Sequence, residues 1–106
     1  MTEFLEVKTT AGSREEAETI GRAAVDARLA ACAQIGGPIS SVYWWDGKVE
    51  QATEWVCTLK APAQTFERLE QLIKRTSSYD TPEVIATPIA LGSAEYLGWL
   101  EAEAPG

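Results

Sequence analysis

A chain of 106 residues with 45% apolar side chains and modest glycine and proline has room for one domain, spanning 1–106, built on one core. Its formal charge of −7, with carboxylates spread along the chain, argues against nucleic acid or anionic membrane as a partner. There is no histidine, which removes the commonest catalytic base and metal ligand, and two cysteines do not make a disulfide framework.

The opening MTEFLEVKTT lacks a basic segment followed by an apolar one, and no apolar run approaches the length of a bilayer span. A soluble, cytoplasmic protein with reduced cysteines is expected. Leu5, Val7 and Thr9 alternate with Phe4, Glu6 and Lys8, the period of a first strand. Ser13 and Glu16 then form an S-x-x-E capping box, in which each side chain can satisfy the other's backbone N–H. The helix it starts sets Ala17, Ile20, Gly21 and Ala24 on one stripe, with Val25 at the margin and Arg14, Glu15, Glu18 and Arg22 outward. So small a stripe lets a helix lie close on a sheet.

From Leu29 the helical period ends, and CAQIGGPISSVYWW reads as an extended segment bulged at Gly36, Gly37 and Pro38. Asp46-Gly47, between two aromatic or β-branched runs, marks a hairpin. On the returning strand Thr53, Trp55, Cys57 and Leu59 alternate with Glu54, Val56, Thr58 and Lys60. Arms of about a dozen residues at roughly 3.3 Å each span nearly 40 Å, so part of the hairpin should project. With Tyr43, Trp44, Trp45 and Trp55 on it, burial against other subunits is expected; the alternative is that these rings close the monomer's own core.

Pro62 is placed in the first turn of a second helix, whose apolar face is Phe66, Leu69, Leu72 and Ile73. After the turn SSYDTP comes a short apolar strand, EVIATPIA, and then a terminal helix capped by Ser93. The order is strand, helix, strand, strand, helix, strand, with a last helix. This is an α+β, ferredoxin-like βαββαβ sandwich with a long β2–β3 hairpin and a C-terminal helix. Two helices cover one face of the sheet, and the other face also has to be hidden, because Val56 and Thr58 point away from Cys57 and Leu59.

RLAACAQI, PISSVYWWDGKVE, TEWVCTLKA, SYDTPEVIATPI and YLGWL together resemble the CutA family of divalent-cation tolerance proteins over nearly the whole chain. The most specific signals are S-x-Y-x-W-x-G-x-V, at Ser41, Tyr43, Trp45, Gly47 and Val49, and Y-x-x-P-E, at Tyr79, Pro82 and Glu83. The resemblance implies a tight homotrimer, similar to the PII nitrogen-signalling proteins, with interlocking hairpins and a link to copper and other divalent metals. It also brings Trp45 and Glu54 into an inter-subunit ligand cleft. Family members often carry a histidine shortly before the tyrosine; Ser77 stands there, so a site that depends on that imidazole does not carry over.

The residues themselves offer a short list of ligands. Cys32 as thiolate would suit copper, although a cysteine between a small-residue helix and a strand is more often a buried hydrophobe, and Cys57 reads as packing. With the turn at Asp46-Gly47, Cys57 lies opposite Gly36, about 13 Å along the strand from Cys32. Joint action of the two within one chain is therefore not expected. Pro82 forces Thr81 out of the helical region, and Tyr79 can pack its ring and give its hydroxyl to a backbone carbonyl, so the turn has a structural reading. Glu83 needs a partner, with Lys60 or Arg28 as the plausible cations, or with Asp80 it can offer oxygens to a divalent ion. The expected cleft is thus Tyr79, Glu83, Lys60, Trp45, Glu54 and Arg28, and the expected metal donors are Cys32, Asp80 and Glu83.

Three functional classes follow: a trimeric binding or regulatory module for a metal ion or small polar ligand, a structural or interaction trimer, and an enzyme. The last ranks lowest. Without histidine there is no Ser-His or Cys-His nucleophile, and no Gly-rich phosphate loop is present.

Overall fold

A computed structural model describes residues 3–105 of the protein. Met1 and Thr2, which begin the stretch read for a leader, and Gly106 lie outside the described residues. Strand β1 (Phe4–Ala11) leads to Ser13, which caps α1 (Arg14–Asp26) by accepting from the Glu16 N–H at 3.1 Å. The return bond from Glu16 does not complete the box. Its Oε2 is buried without a hydrogen-bond partner among the described residues, and its charge instead lies near enough to Tyr79 to act on that phenol.

Strands β2 (Cys32–Trp45) and β3 (Lys48–Pro62) form the long hairpin, and β4 (Ile85–Pro88) completes an antiparallel sheet of order β2-β3-β1-β4. Helices α1 and α2 (Phe66–Thr76) cover one face, where Ala17, Ile20, Ala24, Leu69, Leu72 and Ile73 meet Val7, Cys57 and Leu59 in a buried core. The close approach read from the stripe is present: a Cβ on Gly21 would stand 2.9 Å from the Ala33 Cβ. This is the expected ferredoxin-like α+β arrangement.

Part of the opposite face is covered within the chain. Cys32 pairs with Lys60 in the β2–β3 ladder, and α3 (Ala94–Glu103), capped by the Ser93 hydroxyl, lays Tyr96 beside both and buries Leu100 completely.

Between Gly36↔Val56 and Ile39↔Glu54, the two residues Gly37 and Pro38 oppose the single Trp55. Gly37 has φ +141°, and a Cβ there would lie 2.8 Å from the Trp55 ring, so the bulge requires glycine. The extra residue moves Ile35, not the expected Gly36, opposite Cys57. Beyond the bulge the hairpin leaves β1 behind, because the last β1–β3 pair is Ala11↔Trp55. It closes in a two-residue turn with φ +51° at Asp46 and +75° at Gly47, the primed geometry matched to strand twist. The projecting arm gives the molecule extents of 44 × 25 × 21 Å. On it Trp44 is 74% and Trp45 53% exposed, so these rings do not close the core of their own chain.

Two boundaries differ from expectation. Pro62 ends β3 in extended backbone (φ −70°, ψ 150°), opposite Phe4, and a 3-10 turn (Ala63–Thr65) precedes α2. The buried Thr65 hydroxyl, which donates within reach of the Leu29 and Pro62 carbonyls at 2.8 and 3.0 Å, anchors that turn. The last strand spans four residues and begins at Ile85, not directly after Pro82. At the sheet edge Pro88 has no N–H to extend a ladder.

Candidate functional site

Helix α2 ends at Thr76, whose hydroxyl donates to the Leu72 carbonyl at 2.7 Å. Ser77 turns extended (φ −69°, ψ 142°), and its hydroxyl accepts from the Tyr79 N–H at 3.1 Å. The turn aims Tyr79 back at β3. There its hydroxyl donates to Glu54 Oε2 at 2.9 Å, not to a backbone carbonyl. Glu54 sits just past the bulge and is only 9% exposed, so this bond holds a carboxylate in a place where an unpartnered charge would be costly.

Burial, with the hydrogen bond and charge of Glu54 next and smaller effects from Tyr43 and Glu16, pushes the Tyr79 phenol up to about 12. Tyr79 is therefore a neutral donor through the physiological range, and the charge of the site belongs to its carboxylates.

Around this pair lies a cavity of about 430 Å³, within the range of small-molecule sites. Alternation from Ile39↔Glu54 through Tyr43↔Glu50 to Trp45↔Lys48 keeps Tyr43 and Trp45 on the Glu54 side, and the two-stranded ribbon brings both rings to the cavity wall. The α2–β4 turn supplies Ser78 through Thr81 and Glu83, and β1 supplies Thr10. Of the residues expected from sequence, Trp45, Glu54, Tyr79, Asp80 and Glu83 therefore meet in one cavity.

Three others lie elsewhere in the chain. Lys60 donates to Gln34 Oε1 at 2.7 Å and sits 5.8 Å from the Tyr96 ring centroid. Arg28 contacts Glu103 through its side chain at 3.2 Å and its carbonyl at 3.0 Å. Cys32 is half-buried with its Sγ 3.9 Å from the Tyr96 hydroxyl. From Lys60 to Glu54 along β3 is roughly 20 Å, so neither Cys32 nor Lys60 reaches the cavity of its own chain.

The cation expected beside Glu83 is neither Lys60 nor Arg28 but Lys8, at 3.5 Å. The β1–β4 register explains the pairing: Lys8 faces Ile85, so Glu83 falls diagonally across from it. Nothing in the local sequence announces Lys8, Thr10 or Tyr43 as neighbours of this turn. Only strand pairing and the curl of the hairpin bring them there.

The expected metal donors do not converge. Asp80 and Glu83 line the cavity, but Cys32 points at α3, and among the described residues no three of His, Cys, Asp and Glu form a group able to hold an ion. Within one chain they do not fit a copper centre. Cys57 faces the helices, and burial raises its thiol to about 11, so it is neither a ready thiolate nor a partner for Cys32. A larger, more open groove of about 960 Å³ lies between α1 and the β2 edge, but its Glu15, Glu18 and Arg22 are exposed helix residues, and Arg22 is paired with the exposed Asp26 one turn on at 3.6 Å.

Residues 5–103 match the CutA1 divalent ion tolerance protein family. The chain belongs to this family. A divalent-cation tolerance protein CutA of Archaeoglobus fulgidus is 41% identical over 92 residues, 87% of this chain and 89% of that protein. The solved divalent cation tolerance protein of Thermus thermophilus superposes with a TM-score of 0.92 at 38% identity, covering 95% of this chain and 98% of that one. A solved CutA of Archaeoglobus fulgidus, described as periplasmic, gives 0.90 at 38% identity, with 98% and 99% covered. The chain therefore keeps the fold of its relatives with a histidine-free site turn.

Proposed function

We propose that this protein is a cytoplasmic, non-enzymatic binding or regulatory module that assembles as a homotrimer and takes a divalent cation or small polar ligand in clefts walled by Tyr79, Glu83, Glu54 and Trp45. The observation that carries the reading is the Tyr79–Glu54 hydrogen bond, which holds a buried carboxylate at the wall of a 430 Å³ cavity. The names of its relatives support a connection with divalent cations. Asp80 and Glu83 offer hard oxygen donors, suited to Mg²⁺ or Mn²⁺ more than to copper, and within the chain Cys32 does not join them.

Trimer formation is supported by the bare aromatic arm, because Val42, Trp44, Trp45 and Val49 are exposed together on one projecting ribbon. The same observation favours a second reading, in which the assembly is itself the function and the cavity holds nothing.

Native mass spectrometry of the purified protein, alone and with Glu83→Gln, separates the two. The Lys8–Glu83 pair is half-exposed, so its loss should cost no more than about 1 kcal/mol and leave the trimer whole. A stoichiometric ligand or metal lost with Glu83→Gln supports the binding module. Repeatedly empty trimers support the structural reading, and a stable monomer at micromolar concentration overturns both.

A further inference from the structure

The cavity at Tyr79 has a composition that selects among cations. Its walls combine the rings of Tyr43, Trp45 and Tyr79 with the carboxylates of Glu54, Asp80 and Glu83, and among the described residues no lysine or arginine lines it. Only Glu83 has a counter-charge, from Lys8; no ion pair reaches Glu54 or Asp80 among the described residues. Glu54 is nine-tenths buried, and among the described residues a neutral phenol is the one hydrogen-bond partner of its carboxylate, so a positive charge entering the cavity would relieve a desolvated carboxylate.

That charge balance favours a cationic over an anionic ligand. It also leaves a choice between a bare metal ion and an organic cation. A hard metal ion wants several oxygens converging at about 2.0–2.6 Å, and no such group forms among the described residues. An organic cation needs the opposite arrangement: dispersed carboxylates for its charge and aromatic faces, negative at their centres, for its ammonium and apolar body.

Resting on the binding-module reading above, we propose that this cavity binds a small organic cation, an ammonium head on a compact apolar body, with Glu54 and Asp80 as counter-charges and Tyr43, Trp45 and Tyr79 as aromatic walls. The neutral Tyr79 acts as a positioning residue that orients Glu54.

The test uses the full chain and a matched pair of probes, choline and its uncharged isostere 3,3-dimethyl-1-butanol, titrated by calorimetry and followed by tryptophan fluorescence. The same titrations are run with Mg²⁺ and Cu²⁺. Choline should bind saturably at least tenfold tighter than the isostere, and Asp80→Asn, at an exposed position that leaves the fold intact, should weaken it several-fold. Glu54→Gln, which keeps an oxygen acceptor for Tyr79, should weaken it tenfold or more. Equal binding of choline and isostere, or choline binding indifferent to both substitutions, overturns the proposal. A saturable Mg²⁺ or Cu²⁺ site lost with Glu83→Gln, in a protein that ignores choline, overturns it while leaving the binding module standing. No binding by any probe, with native mass spectra showing empty assemblies, overturns both.

Discussion

The long hairpin has two halves that share one antiparallel ladder and differ in what covers them. Near its base, Ala33, Ile35, Cys57 and Leu59 alternate inward and pack beneath α1, with Cys57 and Leu59 fully buried. Past the bulge, Val42, Trp44, Trp45 and Val49 are exposed, and among the described residues no third strand pairs beside them. The Gly37 bulge is the border, and the Glu54–Tyr79 site lies immediately beyond it. Alternation thus sorts side chains between the faces of a strand, but whether a face is buried depends on what else reaches it.

Breaking each half separately should give different failures. Leu59→Ala empties a fully buried core position and should lower unfolding free energy by about 2–5 kcal/mol in chemical denaturation. Trp45→Ala should leave the core of the chain nearly untouched. If the arm is covered in the proposed trimer, it removes a large ring from the interface at a cost of about 3–5 kcal/mol, read by light scattering as dissociation.

The border itself is the next target. Gly37→Ala places a methyl group 2.8 Å from the Trp55 ring at a backbone angle that favours glycine, so a loss of about 1–3 kcal/mol is expected. Amide exchange across Ile35–Glu54 should rise more than exchange in β1. Equal protection in mutant and wild type would show that the bulge does not divide the hairpin.

At the site, Tyr79→Phe leaves the buried Glu54 carboxylate without its donor and should cost about 1–3 kcal/mol near neutral pH. The pH dependence has a definite sign. Because folding raises the Tyr79 pKa from 10.0 to about 12, its contribution is complete below pH 10 and is lost as pH rises through 12. Melting temperature should therefore fall over that window in wild type, and less steeply in Tyr79→Phe. The smallest effect is expected from Arg28→Ala, where an exposed pair with Glu103 is worth no more than about 1 kcal/mol and only the docking of the α3 end should loosen.

Much of the fold was legible in the sequence because its signals are local. The Ser13 and Ser93 caps, the Asp46-Gly47 turn, the apolar faces of both sheet-covering helices and the bulge at the Gly-Gly-Pro run each report on a few neighbouring residues. The site was legible in half. Tyr79, Asp80 and Glu83 share one turn, and the family resemblance brought in Trp45 and Glu54 from the hairpin.

What only the tertiary structure decided is which distant groups meet. Register made Lys8, not Lys60 or Arg28, the cation beside Glu83; the added bulge residue set Ile35 against Cys57; and α3, folding onto the second face, drew Cys32 and Lys60 to Tyr96 and away from the cavity. Local propensity extends over a turn of helix or a pair of strand residues. Pairing across the sheet depends on free energies summed over whole elements, and a shift of one residue reassigns every partner.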